Sequence, residues 1–199
     1  MGDLERTIVW PIIDKYFENN PDFLVRHHLQ SYNDFFNKGL PRLFKEKNPI
    51  RIMKQQDPDS KEFKLQCSLY LGGKEGNKIY YGKPIIYDDD REHYMFPNEA
   101  RLRNMTYAMS IHIDVDVDFR IVTDSEDEEG SQRIESQTTL EKIFIGRFPV
   151  MVMSDFCVLK GLEPRARFNM GECRNDQGGY FIIDGKEKVI VSQEKIADN

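Results

Sequence analysis

Cysteine is scarce in this 199-residue chain: Cys67, Cys157 and Cys173 lie far apart and are odd in number. No CxxC pair occurs, so neither a zinc ribbon nor a disulfide framework is supported, and reduced thiols in an intracellular protein are the plain reading. The four histidines, His27, His28, His93 and His112, stand in no HExxH or similar metal spacing and read as helix or sheet surface. No apolar run approaches the ~20 residues needed to span a bilayer, so no membrane partner is expected. The opening MGDLER carries acids and no signal-peptide core, and it lacks the Ser or Thr of a myristoylation site. Excess positive charge is missing too: 28 Lys and Arg face 34 Asp and Glu, for a net charge of −6. Such a chain is not expected to wrap nucleic acid alone, because counterion release needs clustered cations.

The charge deficit is local. Residues 51–138 hold 12 basic against 18 acidic residues and account for all of it, while the flanks are each balanced. A nucleic-acid contact in the C-terminal part would therefore not oppose the global sign. With 39% hydrophobic and 12% aromatic residues, a packed core is expected and wholesale disorder is not. The length suits one sizeable domain, or a large domain and the start of another.

The beginning reads as helical. Trp10, Ile13, Tyr16 and Phe17 fall on one face of a short helix, with Pro11 in its first turn. Asn19-Asn20-Pro21 breaks it, and Asp22 caps a second helix. That helix places Leu24, Val25, His28, Tyr32, Phe35 and Phe36 near one stripe and ends before Gly39, with Pro41 opening a further turn. Core packing is the reading of these aromatics. From Ile50 the pattern changes to strands over Ile50–Ile52, Phe63–Leu71 and Lys78–Tyr87, punctuated by Gly72-Gly73, with a loop at Asp88–Asp90.

Ser110–Val122 alternates so regularly that Ile111, Ile113, Val115, Val117 and Phe119 must share one face, and Asp114, Asp116 and Asp118 the other. The three carboxylates stand in a row instead of converging on a point, so a solvated face is favoured over a metal site. Asp124–Gly130 has five acids in its first six residues and reads as a surface loop. Lys142–Ile145 and Val150–Val152 read as buried strand broken at Gly146–Pro149, Ser154 opens a short helix or turn, and Gly161–Arg174 shows no period. Tyr180–Ile183 and Lys188–Ser192 are β-rich arms joined by Asp184-Gly185, a pair suited to a tight hairpin that needs positive φ. Gly178-Gly179 before them permits close backbone approach.

Three stretches are too long and too specific for generic core or surface. PNEARLRNMTY (Pro97–Tyr107) sets Arg101 and Arg103 beside Glu99 and Asn104; such forks either hold phosphate or lock a loop through Glu99 and backbone carbonyls. KIFIGRFPVMVMSDFCVL (Lys142–Leu159) carries Arg147 between two strands. GGYFIIDGKEKVIVSQE (Gly178–Glu194) presents Lys186 and Lys188 beside the turn, as ordinary solvated residues or as ammonium groups near a nucleic-acid backbone.

In this order, the three stretches resemble the N-terminal part of the second-largest subunit of multisubunit DNA-directed RNA polymerases, closest to eukaryotic and large-DNA-virus forms. The resemblance implies an α+β fold, N-terminal helices followed by a mostly antiparallel, β-rich protrusion domain over residues 1–195, with 196–199 starting the lobe. The family's protrusion is completed by a segment that returns after the lobe, so the domain is expected to be incomplete at its C-terminal end. The implied function is a wall of the DNA cleft during template-directed RNA synthesis, in an enzyme that transfers nucleotidyl groups between paired metal ions.

This segment is expected to be non-catalytic and to bind no cofactor, with Mg2+ and structural Zn2+ elsewhere in the polymerase. Implied partners are the largest and other subunits, template DNA, the RNA–DNA hybrid and general initiation factors. The implied place is the nucleus for a cellular enzyme, and a viral factory or virion for a viral one. By resemblance Lys188 approaches nucleic acid and Gln193 lies near the same surface, with Lys186 beside the turn. Glu99, Arg101, Arg103, Arg147, Gly178, Gly179 and Gly185 carry over as structural positions. The chain departs from the family at Asp184 (usually Asn), Lys186 (a small residue), Met153 and Asp155 (often basic) and Arg174 (commonly Pro). Two rival readings stand beside this one: a standalone polymerase-derived protein-interaction module, and an acidic metal enzyme built on Asp114–Asp118.

Overall fold

The computed structural model describes residues 3–56, 63–88, 91–123 and 132–197. Its chain falls into two compact units, one of residues 1–33, 83–108 and 149–199 and one of residues 34–82 and 109–148. The α+β expectation holds: helices come first, and all the strand pairings with a defined register are antiparallel.

The second unit is built on a five-stranded sheet. Strands β1 (Ile50–Gln56), β2 (Phe63–Leu71), β6 (Ala108–Thr123) and β3 (Ile79–Gly82) follow one another, and β7 (Gln132–Pro149) also pairs with β6. The register sets Leu69 against Val117 and Leu71 against Val115, so the apolar face of β6 continues onto β2. Ile113, Val115 and Val117 form its buried centre, with Phe44 of helix α3 (Leu40–Lys47) packed over them. The alternation of β6 thus does what its period requires, except at Phe119, which stays 44% exposed.

The opposite face of β6 differs from expectation. Asp114 is buried, accepting hydrogen bonds from the Tyr80 hydroxyl at 3.0 Å and the Lys142 N–H at 2.9 Å. Lys142 has φ +49°, a local twist in β7 that accompanies this bond. Asp116 accepts from Thr139 at 2.8 Å and faces Lys78, and Asp118 faces Lys74. Each carboxylate therefore has its own neighbouring partner, where the period alone assigns all three to water.

The other unit holds β4 (Ile85–Asp88) paired with β5 (Arg91–Tyr94), α4 (Pro97–Leu102), α5 (Pro164–Asn169), and β8 (Phe181–Ile183) paired with β9 (Lys186–Lys188). Its core includes Ala100, Tyr107, Val150, Val152, Leu159 and Ile182, all essentially inaccessible. The Tyr107 hydroxyl donates to Cys157 Sγ at 3.4 Å and accepts from the Val158 N–H at 3.0 Å, and burial raises its pKa.

Several local expectations need correction. Helix α1 runs Asp3–Asn19 with Pro11 well inside it, and Trp10, Ile13, Tyr16 and Phe17 are exposed, not core. The second helix does not end before Gly39: α2 (Arg26–Asp34) passes into a π-helical turn, Phe35–Gly39, and on into α3, because Gly39 takes ordinary helical dihedrals. Only Leu29, Tyr32 and Phe36 of this stretch are buried among the large apolar residues, whereas Leu24 and Phe35 are not. The run Lys78–Tyr87 splits at Lys83-Pro84, since proline cannot donate to a ladder. Asp88 is in β4 opposite Arg91 instead of in a loop.

Strand β7 runs through Gly146 with Ile143, Phe144 and Ile145 exposed, while Val150–Val152 are buried without being strand. Within the unassigned Gly161–Arg174 lies α5. The hairpin's second arm is Lys186–Lys188 and not Lys188–Ser192. The acidic stretch Asp124–Gly130 lies outside the described residues.

Candidate nucleic-acid interface

The β8–β9 hairpin is the element that the sequence singled out, and its geometry follows from four local features. Gly178 and Gly179 have φ +74° and +82°, and a methyl on Gly178 would run into the Val152 carbonyl oxygen. That closeness lets the Gly179 N–H donate to the Val152 carbonyl, and the Val152 N–H to the Tyr180 carbonyl, both at 2.9 Å. Tyr107 extends the arrangement by donating its N–H to the Ile182 carbonyl at 3.0 Å. At the turn, Asp184 and Gly185 take φ +50° and +73°, the pair of positive values that a two-residue hairpin requires.

The turn is docked on the PNEARLRNMTY stretch. The Gly185 N–H donates to the Met105 carbonyl at 3.0 Å, and the Thr106 hydroxyl accepts from the Asp184 N–H at 3.1 Å. A Cβ on Gly185 would lie 2.8 Å from Asn104 Cα and 2.9 Å from the Arg101 carbonyl oxygen, so glycine is needed there for space as well as for dihedral.

Arg101 sits at the centre of the assembly. Its Nη1 donates to Glu172 Oε2 at 2.9 Å, its Nε to Glu187 Oε1 at 2.8 Å, and its Nη2 to the Tyr180 hydroxyl at 2.6 Å. Tyr180 in turn donates to Asp176, and the Glu172 carboxylate also accepts the Asn98 N–H. Burial works against the Arg101 charge, but Tyr180 and Glu172 more than offset it and raise the pKa above the ordinary arginine value. Burial and the bond to Asp176 likewise push the Tyr180 hydroxyl up.

Arg103 serves a separate contact. It forks onto Asp88 at 2.6 and 2.8 Å and reaches Glu99 at 3.1 Å, with His93 3.4 Å from Glu99. The bond from Arg103 holds the Asp88 carboxyl below its usual range. Asp88, His93 and Glu99 offer ligand atoms within 4.8 Å of one another, but the guanidinium already binds both carboxylates.

Strand alternation then orients the basic residues. Glu187 is held toward Arg101, so Lys186 and Lys188, one residue to either side, project from the opposite side of β9. Both are exposed, and neither makes an ion pair among the described residues. Gln193 is exposed beyond the end of β9. Arg147 is an exposed residue of β7, which belongs to the other unit. Sequence reasoning misses Glu172, Asp176 and Glu187 as partners of Arg101. Of Arg101's partners, Tyr180 and Glu187 lie in one of the three marked stretches, and Glu172 and Asp176 lie outside all three.

The chain is similar to known proteins over nearly its whole length. A family model described as RNA polymerase beta subunit matches residues 23–199. The chain is 35% identical over 192 residues to DNA-directed RNA polymerase II subunit RPB2 of Encephalitozoon cuniculi, covering 96% of this chain and 15% of that protein. It is 34% identical over 193 residues to DNA-directed RNA polymerase II subunit 2 of Arabidopsis thaliana, with the same coverage of 96% and 15%. To DNA-directed RNA polymerase subunit Rpo2N of Methanothermobacter thermautotrophicus it is 32% identical over 191 residues, covering 96% of this chain and 31% of that one. The chain thus spans only about 15% of the polymerase II relatives. It belongs to the RNA polymerase beta subunit family, the second-largest subunits of DNA-directed RNA polymerases.

Proposed function

We propose that this chain is a non-catalytic part of a multisubunit DNA-directed RNA polymerase, forming a wall of the DNA cleft during template-directed nucleotidyl transfer. The observation that carries the reading is the hairpin itself. Two ammonium groups, Lys186 and Lys188, without ion-pair partners among the described residues, project from a β-ribbon whose other side is fixed by Arg101. A rigid ribbon with cations on one side suits phosphate contacts, which position a nucleic acid without reading its sequence. Fixing the ribbon beforehand lowers the ordering cost of such a contact. Gln193 extends the same surface as a neutral donor.

The aspartates of β6 support the non-catalytic part of the proposal. Asp114 is bonded to a hydroxyl and a backbone amide, and Asp116 and Asp118 face lysines in a row, a poor cage for magnesium. Metal ions for the reaction, and structural zinc, would belong to other parts of the polymerase. Its partners would be the largest and other subunits, template DNA, the RNA–DNA hybrid and general initiation factors. The nucleus would house a cellular enzyme, and a viral factory or virion a viral one.

Neutralising the lysines tests the reading. In the assembled polymerase, Lys186→Gln with Lys188→Gln should weaken binding to a DNA–RNA scaffold and flatten its dependence on salt. Removing one phosphate interaction lowers the log–log slope by roughly 0.7–0.9. An unchanged affinity and slope would remove the hairpin from the interface.

A further inference from the structure

Helices α1 and α5 and the 174–177 segment enclose a second feature, a cavity of about 730 Å³ within the first unit. Its walls are of two kinds. Phe17, Phe23 and Leu24 form an apolar side that is substantially exposed, with the two rings edge to face at 5.9 Å. Arg167 and Arg174 form the other side.

These two guanidiniums are under-used. Arg167 has a buried Nε with no hydrogen-bond partner, and its Nη1 reaches only the thioether of Met153, a weak acceptor, at 3.5 Å. Arg174 is stacked over the Phe168 ring with its carbon 4.3 Å from the centroid, which leaves the edges of the fork for an acceptor. Neither has a carboxylate partner among the described residues. The cavity's two acids cannot serve, because both are engaged. Asp22 is bonded to Arg26 at 3.0 Å, which holds its carboxyl below the usual range, and Asp176 accepts from Tyr180 and the Gly178 N–H.

We infer that this cavity receives an acidic segment of a partner polypeptide, one whose carboxylate lies beside an aromatic or branched aliphatic side chain. The carboxylate meets Arg174 and Arg167 in charge-assisted bonds, and the apolar side chain covers Phe17, Phe23 and Leu24. A nucleic-acid phosphate would satisfy the arginines but would leave that apolar wall in water. The size also fits, as cavities of ~300–1,000 Å³ are typical of ligand sites. This site goes beyond the hairpin reading and uses none of its residues.

The test is fluorescence anisotropy on the full chain with three labelled probes. One is a short peptide alternating aspartate with phenylalanine and leucine, one its asparagine counterpart, and one an oligothymidine strand. The aspartate peptide should bind at least about tenfold more tightly than its asparagine counterpart, the size of effect expected for one charge-assisted contact. Arg174→Gln should remove that preference, and Leu24→Asp should weaken the aspartate peptide, with the melting temperature of each variant unchanged. Lys186→Gln with Lys188→Gln should leave peptide binding intact, so loss of oligothymidine binding there bears on the hairpin alone. Equal binding of the two peptides, binding of neither, or displacement of the aspartate peptide by oligothymidine would overturn the inference.

Discussion

Arg101 is the residue on which the most separate pieces of the chain depend. Its guanidinium joins α4 to Glu172, 71 residues on, and to Glu187, 86 residues on. The Glu172 side chain is only 3% exposed, so its charge is tolerable only while Arg101 is present. Arg101→Ala should therefore destabilise the first unit by about 3–5 kcal/mol, the usual cost of leaving one member of a buried pair uncompensated. Adding Glu172→Gln should restore part of that loss, because the charge then left without Arg101 is the exposed Glu187 and not a buried one. Urea denaturation of the two variants checks both statements, and a cost below about 1 kcal/mol would mean that the pair is effectively solvated. Nothing local could have revealed these partners. The sequence shows an arginine beside a glutamate and invites Glu99 as its mate, yet Glu99 is taken by Arg103.

Among the elements, the β8–β9 hairpin is the most legible in the sequence and α1 the least. Asp184-Gly185 announces positive φ by its chemistry, and the turn forms there because few other residue pairs tolerate those dihedrals. Gly185 carries a second demand that composition cannot show, since its α-carbon hydrogen faces Asn104 and the Arg101 carbonyl. Gly185→Ala should thus cost about 1–3 kcal/mol, from left-handed strain together with the close contact. Asp184→Asn, which keeps the turn chemistry, should cost little. Thermal unfolding of both separates dihedral preference from crowding, and a tolerated Gly185→Ala would contradict the docking of the turn. In α1 the apolar stripe has the same period as a core helix, but Trp10, Tyr16 and Phe17 are exposed. Periodicity reports that a face is apolar, not what covers it. The row of aspartates on β6 misleads for a related reason: alternation fixes which side Asp114 faces, whereas Tyr80 and Lys142, which bury and bond it, come from other strands.

At the scale of the whole molecule, the order of three motifs carries the family, and the structure gives two of them a common purpose. PNEARLRNMTY supports the turn and its arginine, and GGYFIIDGKEKVIVSQE supplies the ribbon that they hold. The PVMVM part of the third donates to and accepts from the same stretch through Val152, while Arg147 is an exposed residue of β7. Fixing the ribbon's position thus draws on residues scattered along the chain from Asn98 to Glu187. The ribbon is proposed to meet nucleic acid in an assembled polymerase. A photo-cross-linking side chain placed at Lys188, in the polymerase purified with its native partners and bound to a transcription bubble, tests it most directly. Cross-links from that position to a DNA or RNA strand are the predicted result; cross-links to protein alone would contradict it.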